Sequence, residues 1–298
     1  SITMKEPLQV PLYEEFTIPV VFHVVVSEEE VLTYGNLSAA RIAETMERLN
    51  NIFSGKATRN AAGVNTGIQF VLAQYNPAGE LMDEPGINRV TVEEVTEGTP
   101  PDKYHRFLSQ NNAIWPHEKY LNIWLMSETK YPKFWNSITK LCVPKYRLGS
   151  ETLPGLSLPP VPSTWVPKVE QIGILFRMST FQYFQRSIDA TAERELVTCI
   201  GNYLGLLDTW KINNSNVNDQ CNDTFAYGIV NNNGSLGTNS SWSKEVGSYR
   251  FLSENIMDDP TGTHRSVSKD QALRMYWVLK NCAGRSMWQS DFALTGKE

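Results

Sequence analysis

No apolar run in this 298-residue chain approaches the ~20 residues needed to cross a bilayer, so no transmembrane segment is expected. Basic blocks are missing too. The 27 Lys and Arg against 32 Asp and Glu leave a formal net charge of −5, which argues against nucleic acid as a partner. Ser1-Ile2-Thr3-Met4-Lys5 opens without the apolar core of a signal peptide. The four cysteines, Cys142, Cys199, Cys221 and Cys282, include no C-x-x-C pair. A structural zinc knuckle is therefore not expected, and three pairings stay open for two disulfides. Internal repeats and low-complexity tails are also absent. With 41% hydrophobic and 20% charged residues, the composition is that of an ordinary globular chain.

Residues 1–16 are mixed and proline-punctuated, a lead-in to a domain expected over 17–298. Thr17–Val26 is β-rich and almost wholly apolar, as in a strand covered on both faces. His23 inside it reads as a hydrogen-bonded core residue rather than a metal ligand. Ser38 has the chemistry of an N-cap. Ile42, Met46, Leu49 and Phe53 follow at helical spacing, and Gly55 provides a stop. Further strands are expected at Ile68–Leu72, Gly86–Val92, Tyr120–Met126 (by alternation) and Gln171–Phe176, with a turn at Asn76–Gly79. Lys130–Lys168 is rich in Pro and aromatics and reads as a long ordered excursion whose Tyr131, Phe134, Trp135, Tyr146 and Trp165 form a small core of their own.

A helix capped by Asp189 or Thr191 then carries Leu196, Ile200, Tyr203 and Leu207 as its apolar stripe. From 211 to 247 periodicity vanishes among Asn, Ser and Gly, and irregular chain is expected. N-x-S/T sequons stand at Asn36, Asn213, Asn222, Asn233 and Asn239. The last clear element starts at Ser268 with Gln271 in the capping-box position and Ala272, Met275, Tyr276 and Leu279 on its apolar face.

The most informative stretch is Thr198-Cys199-Ile200-Gly201-Asn202-Tyr203-Leu204-Gly205-Leu206-Leu207-Asp208. Its spacing is that of H-E-x-x-H-x-x-G-x-x-H, in which two histidines on one helix face and a third beyond a glycine turn hold Zn²⁺. Gly205 is in place. The ligand positions read Thr198, Asn202 and Asp208, and the general-base position reads Cys199. Neutral hydroxyl and amide oxygens compete poorly with water for Zn²⁺.

Other stretches point the same way. Ile18–Val25 resembles the opening strand of the pappalysin-like (ulilysin-type) metzincins, and Leu37-Ser38 with Leu49-Asn50-Asn51-Ile52-Phe53 resembles their first helix. Tyr120–Trp124 resembles the strand before the active-site region, and Asp219–Thr224 the Asp-rich loop after it. Asn255-Ile256-Met257-Asp258-Asp259 is similar to the family's Met-turn. The resemblance covers residues 17–282 in the family's order. It implies an α/β (α+β) zincin fold: a twisted mixed sheet, a backing helix, an active-site helix, and an irregular C-terminal subdomain. The subdomain boundary would fall between 17–205 and 206–298. Met257 would floor the metal position, and Asp259 would replace the tyrosine that follows the Met-turn.

The first functional expectation is thus a pseudoprotease of the cell exterior, with neither zinc nor general base, binding a peptide or protein in its cleft. Many bacterial family members are exported or lipid-anchored. A second reading places Ca²⁺ or Mg²⁺ on the oxygen groups of Thr198, Asn202, Asp208 and Asp259, which suit a hard cation better than zinc. The bland alternative, in which those groups hydrogen-bond one another, is preferred. Cys199 as a nucleophile would need a base, and of His23, His105, His117 and His264 only His264 stands in the Met-turn region. A buried inert thiol is the stronger expectation. A third reading is a partner-binding protein of the cell envelope that uses the aromatics of the excursion.

Overall fold

The computed structural model describes residues 14–28, 37–59, 63–92, 108–126, 153–155, 172–177, 191–212, 217–229, 243–246, 249–260, 262–282 and 284–298. Its organising element is strand β1 (Phe16–Ser27), in which every residue but Thr17 is buried. Along one edge β1 pairs first with β2 (Ile68–Leu72) and then with β3 (Ile87–Val92). Along the other it pairs with β4 (Leu121–Met126), which pairs with β5 (Ile174–Arg177). All four pairings are parallel. The antiparallel member of the expected mixed sheet is not among the described residues.

The apolar continuity of β1 follows from its period of two. Phe16, Ile18, Val20, Phe22, Val24 and Val26 join the main core cluster on one face. Val21 and Val25 face the other side, in smaller clusters with Tyr120, Trp124 and Met126. β4 is buried at all six positions for the same reason, so the alternation expected of it does not reach solvent. The main cluster is closed by helix α1 (Ala39–Phe53), helix α2 (Thr191–Tyr203) and helix α3 (Lys269–Asn281). It runs from Phe16 to Met287, so residues on both sides of position 205 share one core.

Local chemistry sets the helix ends. Ser38 caps α1 by accepting from the Arg41 N–H, and Gly55 turns the chain at φ +78°. Ser268 and Gln271 form the expected capping box at the start of α3. For α2, Thr191 is already helical and Asp189 lies outside the described residues. Leu207, assigned to the α2 stripe, falls beyond the helix end. The 130–168 excursion also lies outside the described residues except for 153–155.

Residues 211–247 are less irregular than expected. Strands β6 (Trp210–Ile212) and β7 (Tyr227–Ile229) pair in parallel, and β8 (Ser243–Val246) pairs antiparallel with β9 (Tyr249–Leu252). Three- and four-residue strands are too short to show a period, and their order comes from their partners. The short helix α4 (Phe292–Thr295) follows a 3-10 turn at Met287–Gln289.

One side chain guards the sheet. Asn50 of α1 donates through Nδ2 to the Phe70 carbonyl and accepts from the Phe70 N–H through Oδ1, both at 2.8 Å. Its amide thus stands where the next strand's peptide would be on the β2 edge. Asn50→Ala strips both partners from a half-buried peptide and is expected to cost about 1–3 kcal/mol in urea unfolding. An unchanged midpoint would show that water replaces the amide without loss.

Candidate functional site

Helix α2 presents the motif. Leu196, Val197, Cys199, Ile200 and Tyr203 sink into the core, and Thr198 is buried beside them. After Tyr203 the chain closes a full Schellman motif: Gly205 N–H donates to Asn202 O at 3.0 Å and Leu206 N–H to Gly201 O at 2.9 Å. Gly205 sits at φ +94°, and a Cβ there would come within 2.3 Å of Val278 Cγ2 on α3. The glycine is required twice, by backbone sign and by the helix packed against it.

Two buried arginines hold the same helix end. Arg285 donates through Nε to Tyr203 O at 2.8 Å, with its guanidinium 3.6 Å from the Tyr203 ring centroid. Arg274 donates to Gly205 O at 3.1 Å and to Pro154 O at 2.7 Å. Cations are favourable at a helix C-terminus, where carbonyls lack intrahelical donors. Sequence inspection did not single out either arginine, because each partner is a backbone atom distant in the chain.

Beneath α2 runs Asn255–Asp258. Met257 is fully buried, and its Sδ lies against Gly201, where an added Cβ would approach it to 2.5 Å. Thr198 Oγ1 donates to Ile256 O at 2.8 Å. Thr209, just past Asp208, donates its N–H to Met257 O at 3.1 Å, and its hydroxyl lies 2.8 Å from Asp258 Oδ1. The turn is in turn tied to α3: the amides of Asn255 and Gln271 pair reciprocally at 2.8 Å, and Asn255 Oδ1 also accepts the Met257 N–H at 2.9 Å.

The other motif positions take separate partners. Asn202 Nδ2 donates to Leu206 O at 3.0 Å and reaches Asp208 Oδ1 at 3.4 Å, so the second and third ligand positions do meet. Asp259 is buried, and its Oδ2 accepts from the Tyr227 hydroxyl at 2.7 Å. Burial, then the charges of Asp258 and Asp259, push the Tyr227 phenol well above its usual range, so it stays protonated. Tyr227 was not foreseen, since it stands in the stretch read as irregular.

Cys199 is wholly inside the core cluster, as an inert thiol would be. His264 gives it no base: its Nε2 lies 2.9 Å from both Asp258 O and Asp259 O. Cys199, Cys221 and Cys282 are free thiols, which leaves no disulfide among them, and Cys142 lies outside the described residues. Burial, and secondarily Asp219, raise the Cys221 thiol to about 12. The Asp-rich loop is bolted to the start of α3, with Asp223 accepting from Ser268 Oγ at 2.6 Å and from Asp270 N–H at 2.9 Å. His23 lies on the opposite sheet face from α2, between Asn122 (2.7 Å) and Asn88 (2.9 Å), and burial lowers its pKa to about 4.

Among the described residues no three His, Cys, Asp or Glu side chains converge to hold a metal ion. The three ligand positions offer a hydroxyl donating to a carbonyl, an amide with its N–H₂ toward its neighbours, and one carboxylate. That donor set does not fit Zn²⁺, which takes Cys, His or Asp/Glu ligands, usually three or four at once.

The arrangement of the whole chain recurs in solved structures. The fold is that of mirolysin. The chain superposes on mirolysin in complex with a small-molecule compound at a TM-score of 0.66 and 20% identity, covering 95% of this chain and 99% of that one. Mature mirolysin of Tannerella forsythia in complex with a cleaved peptide gives 0.63 and 20%, covering 96% and 100%. A promirolysin variant from the same organism gives 0.63 and 20%, covering 96% and 87%. No family model and no curated protein matches. At this identity the chain and mirolysin share a fold. No helix among the described residues is long and apolar enough to cross a membrane.

Proposed function

We propose that the protein is a metzincin-like pseudoprotease that binds a peptide or protein in the cleft above α2 and does not hydrolyse it. The reading rests on one observation: Thr198, at the first ligand position, has its hydroxyl committed to the Ile256 carbonyl beneath the helix. With Asn202 and Asp208 turned to each other, no set of ligands is left to lower the pKa of a bound water, and Cys199 offers no carboxylate to take its proton. Gly205 turns the chain at the end of α2 and Met257 is buried beneath it, which supports a retained cleft. Mature mirolysin has been captured with a cleaved peptide, which supports a peptide as the class of ligand.

Ca²⁺ or Mg²⁺ at Asp208 and Asp259 is the weaker reading, since Asn202 and Tyr227 already occupy those carboxylates. Partner binding through another surface is the other alternative. An extracytoplasmic location, with or without a lipid anchor, rests on the family resemblance.

Metal analysis of protein purified without chelators tests the proposal. Zinc is expected far below one equivalent, with no cleavage of a casein-derived peptide mixture but retention of some of its peptides on the immobilised protein. Stoichiometric zinc, or chelator-sensitive cleavage, would sink the reading.

A further inference from the structure

A zinc ion in this fold is also a fastener, because its ligands come from both sides of the turn and its binding free energy adds to folding. Where the zinc-type donors are missing, something else must join α2 to the chain beneath it. Two of the contacts across that junction come from the motif's ligand positions themselves. Thr198, 6% exposed, donates to Ile256 O at 2.8 Å and so pins the middle of α2 to the residue before Met257. One turn later Asn202 reaches across the Gly205 bend to Leu206 O and Asp208 Oδ1, closing the turn on itself. Thr209 then returns to the same strip through its N–H to Met257 O.

These bonds run from helix to Met-turn, from helix to post-glycine turn, and from that turn back to the Met-turn. They form a closed triangle joining α2, the post-glycine turn and the Met-turn. A histidine at 198 or 202 would have no hydroxyl or amide to make these bonds.

We propose that Thr198 and Asn202 form a metal-independent latch that takes over the mechanical task of the ion, so that fold and cleft persist without any cation. The proposal rests on the pseudoprotease reading. It goes further by giving the altered residues a positive task. They are not the debris of a lost site; they hold its helix and turn together.

Thermal unfolding of the whole chain tests this, with EDTA and with added zinc chloride, in the wild type, Thr198→Val and Thr198→Ser. The wild-type Tm is expected to be unmoved by either addition. Thr198→Val keeps the side-chain shape and leaves the Ile256 carbonyl without this donor, and should lower Tm by about 2–5 °C, equally with and without EDTA. Thr198→Ser keeps the hydroxyl and should recover most of that loss. A Thr198→Val Tm equal to wild type, or a serine variant no better than valine, would overturn the latch. If valine prevents folding, the serine-to-wild-type comparison together with Asn202→Ala, expected to lower Tm by several degrees, carries the test. An EDTA-induced fall in wild-type Tm overturns the latch and the pseudoprotease reading together. A neutral Thr198→Val in zinc-free protein overturns the latch alone.

Discussion

Gly205→Ala is expected to lower stability by roughly 2–5 kcal/mol, the sum of about 1–2 for a left-handed alanine and about 1–3 for overpacking. The first part comes from φ +94°, and the second from a Cβ placed 2.3 Å from Val278 Cγ2. Neither neighbour gives way easily, because Val278 is fully buried on α3 and the turn is locked by the Schellman bonds. In a domain of this size the loss corresponds to a fall in Tm of about 3–8 °C. Gly79→Ala is the control. It shares a positive φ of +77°, but its nearest neighbour, the Gly296 carbonyl oxygen, would lie at 3.3 Å instead of 2.3 Å, so it should cost the backbone part and little overpacking. Calorimetry showing equal losses for the two variants would refute the packing argument at Gly205.

The second large effect is acid sensitivity from His23. Its ring is fully enclosed by β1, Trp115 and Trp124, and the structure holds it neutral between Asn122 and Asn88. Burial lowers the pKa from 6.5 to about 4, while the unfolded chain titrates near 6.5. The unfolded state therefore binds the extra proton first. The stabilisation is whole above pH 6.5, falls as pH drops from 6.5 to 4, and stays lost below that. The 2.5-unit difference at ~1.4 kcal/mol per unit gives a loss of about 3 kcal/mol over that window. Urea unfolding between pH 7.5 and 4 should show this slope in the wild type. His23→Gln is less stable at neutral pH, and its slope should be flatter by the histidine's share. Parallel slopes would remove His23 as the cause.

The scaffold was largely legible in the sequence. β1 announced itself by an apolar run too continuous for a half-exposed strand, and the structure buries it on both faces. Ser38 and Gly55 bounded α1, and Ser268 with Gln271 opened α3, because capping chemistry is local. The short strands after residue 209 were not legible. Trp210–Ile212 and Tyr227–Ile229 have meaning only as a pair, and a three-residue segment has no period to read.

At the site, spacing pointed to Thr198, Asn202 and Asp208, since a helix fixes which residues share a face. The sequence by itself determined that the three histidines are absent from those positions, with Asp208 as the one anionic donor, and that a glycine stands at the right distance. Only the tertiary structure decided what the replacements do. The hydroxyl of Thr198 finds a carbonyl 58 residues away, Asp259 finds Tyr227, and Arg274 and Arg285 reach back to cap α2. Helical periodicity is written in the chain because it repeats every few residues. A hydrogen bond between distant segments leaves no such trace, because its partner is chosen by the packing of the whole core.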